Sequence, residues 1–235
     1  MSESGGDPYR ILAQCDPVLK GLVGACGRPD PYAWHDGGRT GTSLFAALLL
    51  HIVGQRISAA AAFTVYDRVA DAAGGGVPTP RAVLSLGADG LGAQGLTRGK
   101  ADCAMAVARG QVDGTLVLDD LAKADDAEVL RALTSVKGLG LWSAQAFLMR
   151  QLRRPDVLPA QDAGIRRAIQ TRWELPAPPA PGQVRQRATA WAPYRSYAAA
   201  LLWKSLYPPG EPSDPKERAL ARQGHEDRGR TTRRS

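Results

Sequence analysis

The chain has only three cysteines, Cys15, Cys26 and Cys103. Their spacing matches neither a zinc site nor a four-cysteine iron–sulfur loop, and it excludes a disulfide framework. Alternating apolar and polar residues, the mark of half-buried strands, are nearly absent, which argues against a sheet-based fold. Long hydrophobic runs are missing too: the longest, Leu44 to Gly54, is interrupted by His51 and is too short to span a bilayer. The N-terminus, MSESGGDPYR, lacks the charged-then-apolar pattern of a signal peptide. These absences predict an all-α cytoplasmic protein, without membrane contact and with no metal held by side chains.

What is present is basic charge. Composition is otherwise ordinary, with 44% hydrophobic, 6% aromatic and 23% charged residues, but the net charge is +7 and the sequence pI about 9.6. Partitioned along the chain, the net charge is −3 over residues 1–136, +8 over 137–204 and +2 over 205–235. The positive charge is thus concentrated in one stretch of 68 residues. Such a patch favours a polyanionic partner.

Helix punctuation recurs throughout. Thr42 or Ser43 can cap a helix through LFAALLLHIVGQ, and Ser58 one that ends at the Gly74-Gly75-Gly76 run. Pro78 and Pro80 open a short helix from Ala82 to Leu86, Thr97 caps Arg98 to Arg109, and Asp125 caps AEVLRAL. A helix is predicted from Leu141 to about Arg153, where Arg154-Pro155 stops it. Others run from Asp162 to Trp173, up to Trp191, and from Pro193 to Tyr207. The expected organisation is an N-terminal segment, 1–40, packing on a core of two helical lobes, 41–209, followed by a disordered basic tail, 210–235.

The turn Lys137-Gly138-Leu139-Gly140 joins two of these helices as a helix-hairpin-helix. Gly138 and Gly140 allow a tight turn and close approach, and the free amides of the next helix point outward with the positive end of its dipole. That suits one backbone phosphate, although an ordinary helix–helix loop has the same glycines. Trp142 follows directly, and the segment DVLPAQDAGIRR places Asp162 at a helix start. On its own, Asp162 reads as an N-cap, a very common role for Asp.

In these blocks, together with HIVGQRIS, PTP, GLTRGKAD, VKGLGLWSAQ and WAPYRSYAAALLW, residues 40 to 207 resemble the helix-hairpin-helix DNA glycosylases, and in particular the DNA-3-methyladenine glycosylase II family. The resemblance implies a two-lobed helical fold. It also implies a monomeric enzyme that flips alkylated bases such as 3-methyladenine and 7-methylguanine out of double-stranded DNA and hydrolyses the N-glycosidic bond, leaving an abasic site for base excision repair. If the chain is bacterial, a nucleoid-associated cytoplasmic location follows.

Asp162 matches the family's catalytic carboxylate. Breaking an N-glycosidic bond builds positive charge on deoxyribose, which one ionised carboxylate can stabilise, or it can activate the attacking water. A cationic alkylated base leaves without a second acid. Between Lys137 and Lys204 the only acids are Asp156, Asp162 and Glu174. Trp142 stands where strand-cutting relatives carry a Schiff-base lysine, which implies a monofunctional hydrolase. Its indole suits an electron-poor base, with cation–π attraction on the order of 1 kcal/mol. Trp203 matches a second pocket aromatic. The alternatives are packing between lobes for Trp142 and plain core for Trp203.

By the same resemblance, Gln55 and Arg56 occupy the wedge that fills the gap left by the flipped base, with Ser58 near the DNA backbone. Arg56 read alone is equally a solvated side chain. Two-domain relatives carry an N-terminal β-rich domain with no counterpart here, and they place pocket tyrosines where this chain has Ala146 and Ala163. A wider pocket and broad acceptance of alkylated purines follow. The family's hairpin often holds a structural Na+ or K+ on main-chain carbonyls, which here are those of Thr134, Val136 and Leu139. No other cofactor is expected. The competing reading is a noncatalytic helix-hairpin-helix module that binds distorted DNA.

Overall fold

The computed structural model describes residues 6–208, 210–212 and 214–222. Those residues are helical, with no strand among them. In chain order the helices are α1 (Pro8–Cys15), α2 (Pro17–Cys26), α3 (Leu44–Gly54), α4 (Ala59–Ala72), α5 (Pro80–Ala93), α6 (Arg98–Asp113), α7 (Leu118–Leu121), α8 (Asp126–Ser135), α9 (Leu141–Arg150), α10 (Ala163–Arg172), α11 (Pro181–Arg187) and α12 (Arg195–Lys204). No helix among the described residues is long and apolar enough to cross a membrane.

The chain divides into two compact units. The first is built from the described residues of Met1–Ala33 and Leu148–Ser213, and the second from those of Trp34–Phe147 and Asp214–Ser235. The boundary falls inside α9, after Phe147.

In the second unit α3 is the central helix. Phe45 to Val53 are all buried, so the run LFAALLLHIV is apolar around its whole circumference because it is enclosed, here by α4, α6 and α7. Each fully buried Leu contributes about 2 kcal/mol. Side-chain caps start its helices as their sequences predict: Ser43 accepts from Ala46 N–H, Ser58 from Ala61 N–H and Asp125 from Glu128 N–H. Thr97 occupies its N-cap position without a side-chain cap bond. The short helix predicted over Ala82 to Leu86 is the first part of α5, which continues to Ala93 across a break at Gly87, φ 67°.

In the first unit, α12 buries Ser196 and Ala198 to Leu202 against α10 and α2. The small alanines let these helices approach closely. The N-terminal segment contributes α1 and α2, each opened by an Asp-Pro pair: Asp7 and Asp16 accept the first free amides, and Pro8 and Pro17 sit where no donor is needed.

Two expectations are corrected. Helix α9 stops at Arg150 rather than Arg153: Arg153 is left-handed, φ 53°, and Arg154 N–H reaches back to the Leu148 carbonyl. Part of the expected disordered tail is helical, over 215–222, where Ala219 is buried, the Lys216 ammonium lies 3.3 Å from the Trp34 ring centroid and Glu217 is 3.7 Å from His35. These contacts compensate for the segment's low apolar content. The remainder of that tail, 223–235, lies outside the described residues.

Candidate active site

In the second unit, α8 ends at Val136, whose N–H bonds the Leu133 carbonyl, and Leu139 N–H then closes the hairpin on the Val136 carbonyl at 3.0 Å. Leu139 is buried and anchors the turn, while Lys137, Gly138 and Gly140 are exposed. The two glycines differ in kind. Gly138 has φ 98°, and a Cβ there would stand 2.9 Å from Cys103 Cβ on α6. Gly140 has no left-handed φ, and a Cβ would meet nothing within 4 Å. The tight turn is therefore the work of Gly138 alone, correcting the shared role expected for both. What Gly140 leaves is open space before the first turn of α9, whose amides have no acceptor within a helix.

The α3–α4 turn lies beside the hairpin. Gln55 Nε2 donates to the Gly138 carbonyl at 3.0 Å and to Ser143 Oγ at 3.4 Å. The next two residues are exposed: Arg56 in the left-handed region, φ 59°, and Ile57 at 41%. A non-glycine residue held at positive φ is strained, and such strain concentrates at functional positions. Trp142, at 46% exposure on the first turn of α9, is not a core residue. Ala146, one turn further on, is half-buried.

In the first unit, Asp162 is the N-cap of α10, and its Oδ1 accepts from Ile165 N–H at 2.9 Å and from Trp203 Nε1 at 2.9 Å. The cap and the candidate catalytic carboxylate are thus one group. Trp203 is neither free nor merely core: it is half-buried, bonded to Asp162, and has the Arg150 guanidinium 5.8 Å from its ring centroid. Ala163 is exposed. The other two acids of the basic segment are placed differently. Asp156 makes a bidentate bridge to Arg195, both contacts 2.7 Å, and Glu174 is exposed just beyond α10. Ser196 Oγ pins the segment leading to Asp162, accepting from Val157 N–H at 3.0 Å and donating to the Arg154 carbonyl at 2.7 Å.

Two contributors escape a reading of the sequence. Gly164 lies under the carboxylate: a Cβ there would be 3.0 Å from Asp162 Oδ1 and 3.3 Å from Trp203 Cδ1. A glycine in the first turn of a helix, against helix propensity, is a local signal for such close packing. The Gln55 bond to Gly138 spans 83 positions and leaves no local trace. No group of three or more His, Cys, Asp or Glu side chains able to hold a metal occurs among the described residues.

Residues 50–193 match the HhH-GPD superfamily base excision DNA repair protein family. Among relatives, the Bacillus subtilis (strain 168) protein YfjP is 29% identical over 170 residues, covering 70% of this chain and 59% of that protein, so this chain spans less than two thirds of its length. DNA-3-methyladenine glycosylase 1 of Schizosaccharomyces pombe is 27% identical over 163 residues, covering 68% of this chain and 72% of that protein. Among solved structures, the S. pombe 3-methyladenine DNA glycosylase Mag1 in complex with abasic DNA matches with a TM-score of 0.74 at 26% identity, over 84% of this chain and 95% of that one. The family match takes in more than half of the chain and includes the α3–α4 turn, the hairpin and Asp162, so the chain belongs to the HhH-GPD superfamily of base excision DNA repair proteins.

Proposed function

We propose that the protein is a monofunctional glycosylase that everts alkylated bases from double-stranded DNA and hydrolyses their N-glycosidic bond. The observation that carries this reading is the carboxylate of Asp162, oriented by one backbone amide and one indole N–H. As the bond from C1′ to the base breaks, its electron pair leaves with the cationic base and positive charge builds on the sugar. The fixed carboxylate stabilises that charge or orients a water. The water oxygen bonds C1′ and gives up a proton, leaving an abasic site. Trp142 carries no amine, so no covalent sugar adduct is formed through it.

The hairpin supports the remaining requirements. Gly140 and the first turn of α9 receive a phosphate, with Lys137 beside it, while Arg56 fills the space the base vacates and the exposed indole of Trp142 offers a face for stacking. Ser58, already capping α4, stands near the DNA backbone. Thr134, Val136 and Leu139 offer backbone carbonyls to a sodium or potassium ion. The Val136 carbonyl accepts one N–H, from Leu139, and keeps a second lone pair, which supports a hard cation at this carbonyl. Such an ion would add positive charge at the phosphate.

Alanine at 146 and 163 extends the reading to broad acceptance of alkylated purines. Rates on 3-methyladenine, 7-methylguanine and ethenoadenine DNA, measured beside a tyrosine-bearing relative, test it; an equal or narrower range counts against it. The central experiment is release of free 3-methyladenine from methylated duplex by the wild type and by Asp162→Asn. The wild type should release it and the variant should not. Equal release sinks the mechanism, and release by neither favours a DNA-binding module without catalysis.

A further inference from the structure

Lys100 is a charged side chain that the proposed mechanism leaves unused. It sits in the first turn of α6, half-buried, and its Nζ donates to the Val53 carbonyl at 2.8 Å. Burial lowers its pKa, so the ammonium is desolvated to make this bond. The last carbonyls of a helix have no partner within it, and a cation is favoured at that end of the dipole. Lys100 therefore closes the C-terminal end of α3 three residues before Arg56.

The same helix supports the hairpin. Cys103, one turn after Lys100 and 1% exposed, is the residue against which Gly138 packs, with a notional Cβ at 2.9 Å. Positions i and i+3 share one helix face. The circuit is completed by the Gln55 side chain, which bonds the Gly138 carbonyl. Thus the start of α6 holds both turns, the exposed Arg56-Ile57 turn through an ammonium and the phosphate-receiving turn through a close steric contact. The ammonium alone is optional for packing, since a chain of similar length would fill the same space.

We infer that Lys100 is a positioning residue for base eversion, its bond to the Val53 carbonyl fixing the Gln55-Arg56-Ile57 turn in register with the Gly138 hairpin. The inference rests on the glycosylase reading above. A register error should impair extrusion of a paired base more than chemistry on a base already easy to extrude. It should also leave binding to undamaged duplex, through the hairpin phosphate site and exposed cations, nearly unchanged.

The test uses the full chain, with one alkylated base placed either in a paired duplex or opposite an abasic gap. Lys100→Met should lower the rate on the paired substrate by about tenfold while the gapped substrate loses less than about threefold, and affinity for undamaged duplex should stay within about twofold. The ratio of the two rates does not depend on how much of the variant is folded. Lys100→Arg, which keeps charge and donor, should recover most of the ratio. If the Met variant does not fold, Lys100→Gln is read by the same ratio. An unchanged ratio in a Met or Gln variant overturns the inference while the wild type remains active, as does an Arg variant no better than Met. A wild type that releases no base overturns the glycosylase reading and this inference together.

Discussion

At the residue scale, Asp162 is an observed N-cap to which the proposed mechanism adds a second job, and substitution can separate the two. As N-cap it satisfies the Ile165 amide, a role that Asn fills about equally well, whereas Ala costs about 1 kcal/mol. As the charged group that the proposed mechanism sets against a developing cation, it would have no neutral substitute, and removing such stabilisation costs about 100-fold to 1,000-fold in rate. Asp162→Asn is therefore expected to melt within a few degrees of the wild type yet lose base release by at least that factor, while Asp162→Ala loses both. Gly164 gives a subtler case. Alanine there favours the helix by up to about 1 kcal/mol, but its methyl would lie 3.0 Å from an oxygen already fixed by two donors. Gly164→Ala should retain its melting temperature and lose about tenfold in kcat, with the carboxylate displaced by a few tenths of an ångström. Full activity in that variant would show that the carboxylate tolerates a shift.

At the scale of elements, the hairpin is a fold device at Gly138 and open space at Gly140, where the proposed function places a ligand. Gly138→Ala meets both a left-handed backbone and the Cys103 side chain, and should destabilise by about 2 kcal/mol. Gly140→Ala fills open space, and should leave the melting curve in place while weakening duplex affinity several-fold, read by fluorescence anisotropy. Identical behaviour of the two variants would refute this division. It also marks how far the elements could be read from the chain. Ser43, Ser58, Asp125 and Asp162 each bond the amide three residues on, so their helix starts are legible in short windows. The Asp-Pro starts of α1 and α2 carry the same local chemistry, since Asp7 and Asp16 each bond an amide two residues on. What no window contains is distance in sequence: the indole of Trp203 reaches Asp162 across 41 positions, and Gln55 reaches Gly138 across 83. The order of segment 215–222 has the same kind of origin, because its helix rests on Trp34 and His35.

At the scale of the whole molecule, the +8 segment overstates the surface available to DNA. Arg195 is bridged to Asp156, Arg166 Nε donates to the Pro179 carbonyl at 2.7 Å, and Arg172 and Arg150 bond the carbonyls of Ser205 and Ala33. These cations hold loops and helix ends, whereas Lys137, Arg167 and Arg185 are exposed. Were all eleven Lys and Arg of residues 137–204 on phosphates, the logarithm of affinity would fall against the logarithm of salt with a slope of about −10. With at least these four engaged internally, the slope on undamaged duplex should be shallower than about −6. Lys137→Gln should reduce its magnitude by about 0.9, the value of a single phosphate contact. Arg195→Gln should leave the slope unchanged and lower stability by about 1 kcal/mol, since it breaks a half-exposed bidentate bridge. A potassium chloride series read by anisotropy, paired with thermal melts, measures all three. An Arg195 variant that flattens the slope as Lys137→Gln does would mean that the bridge opens on DNA and that its arginine is part of the interface.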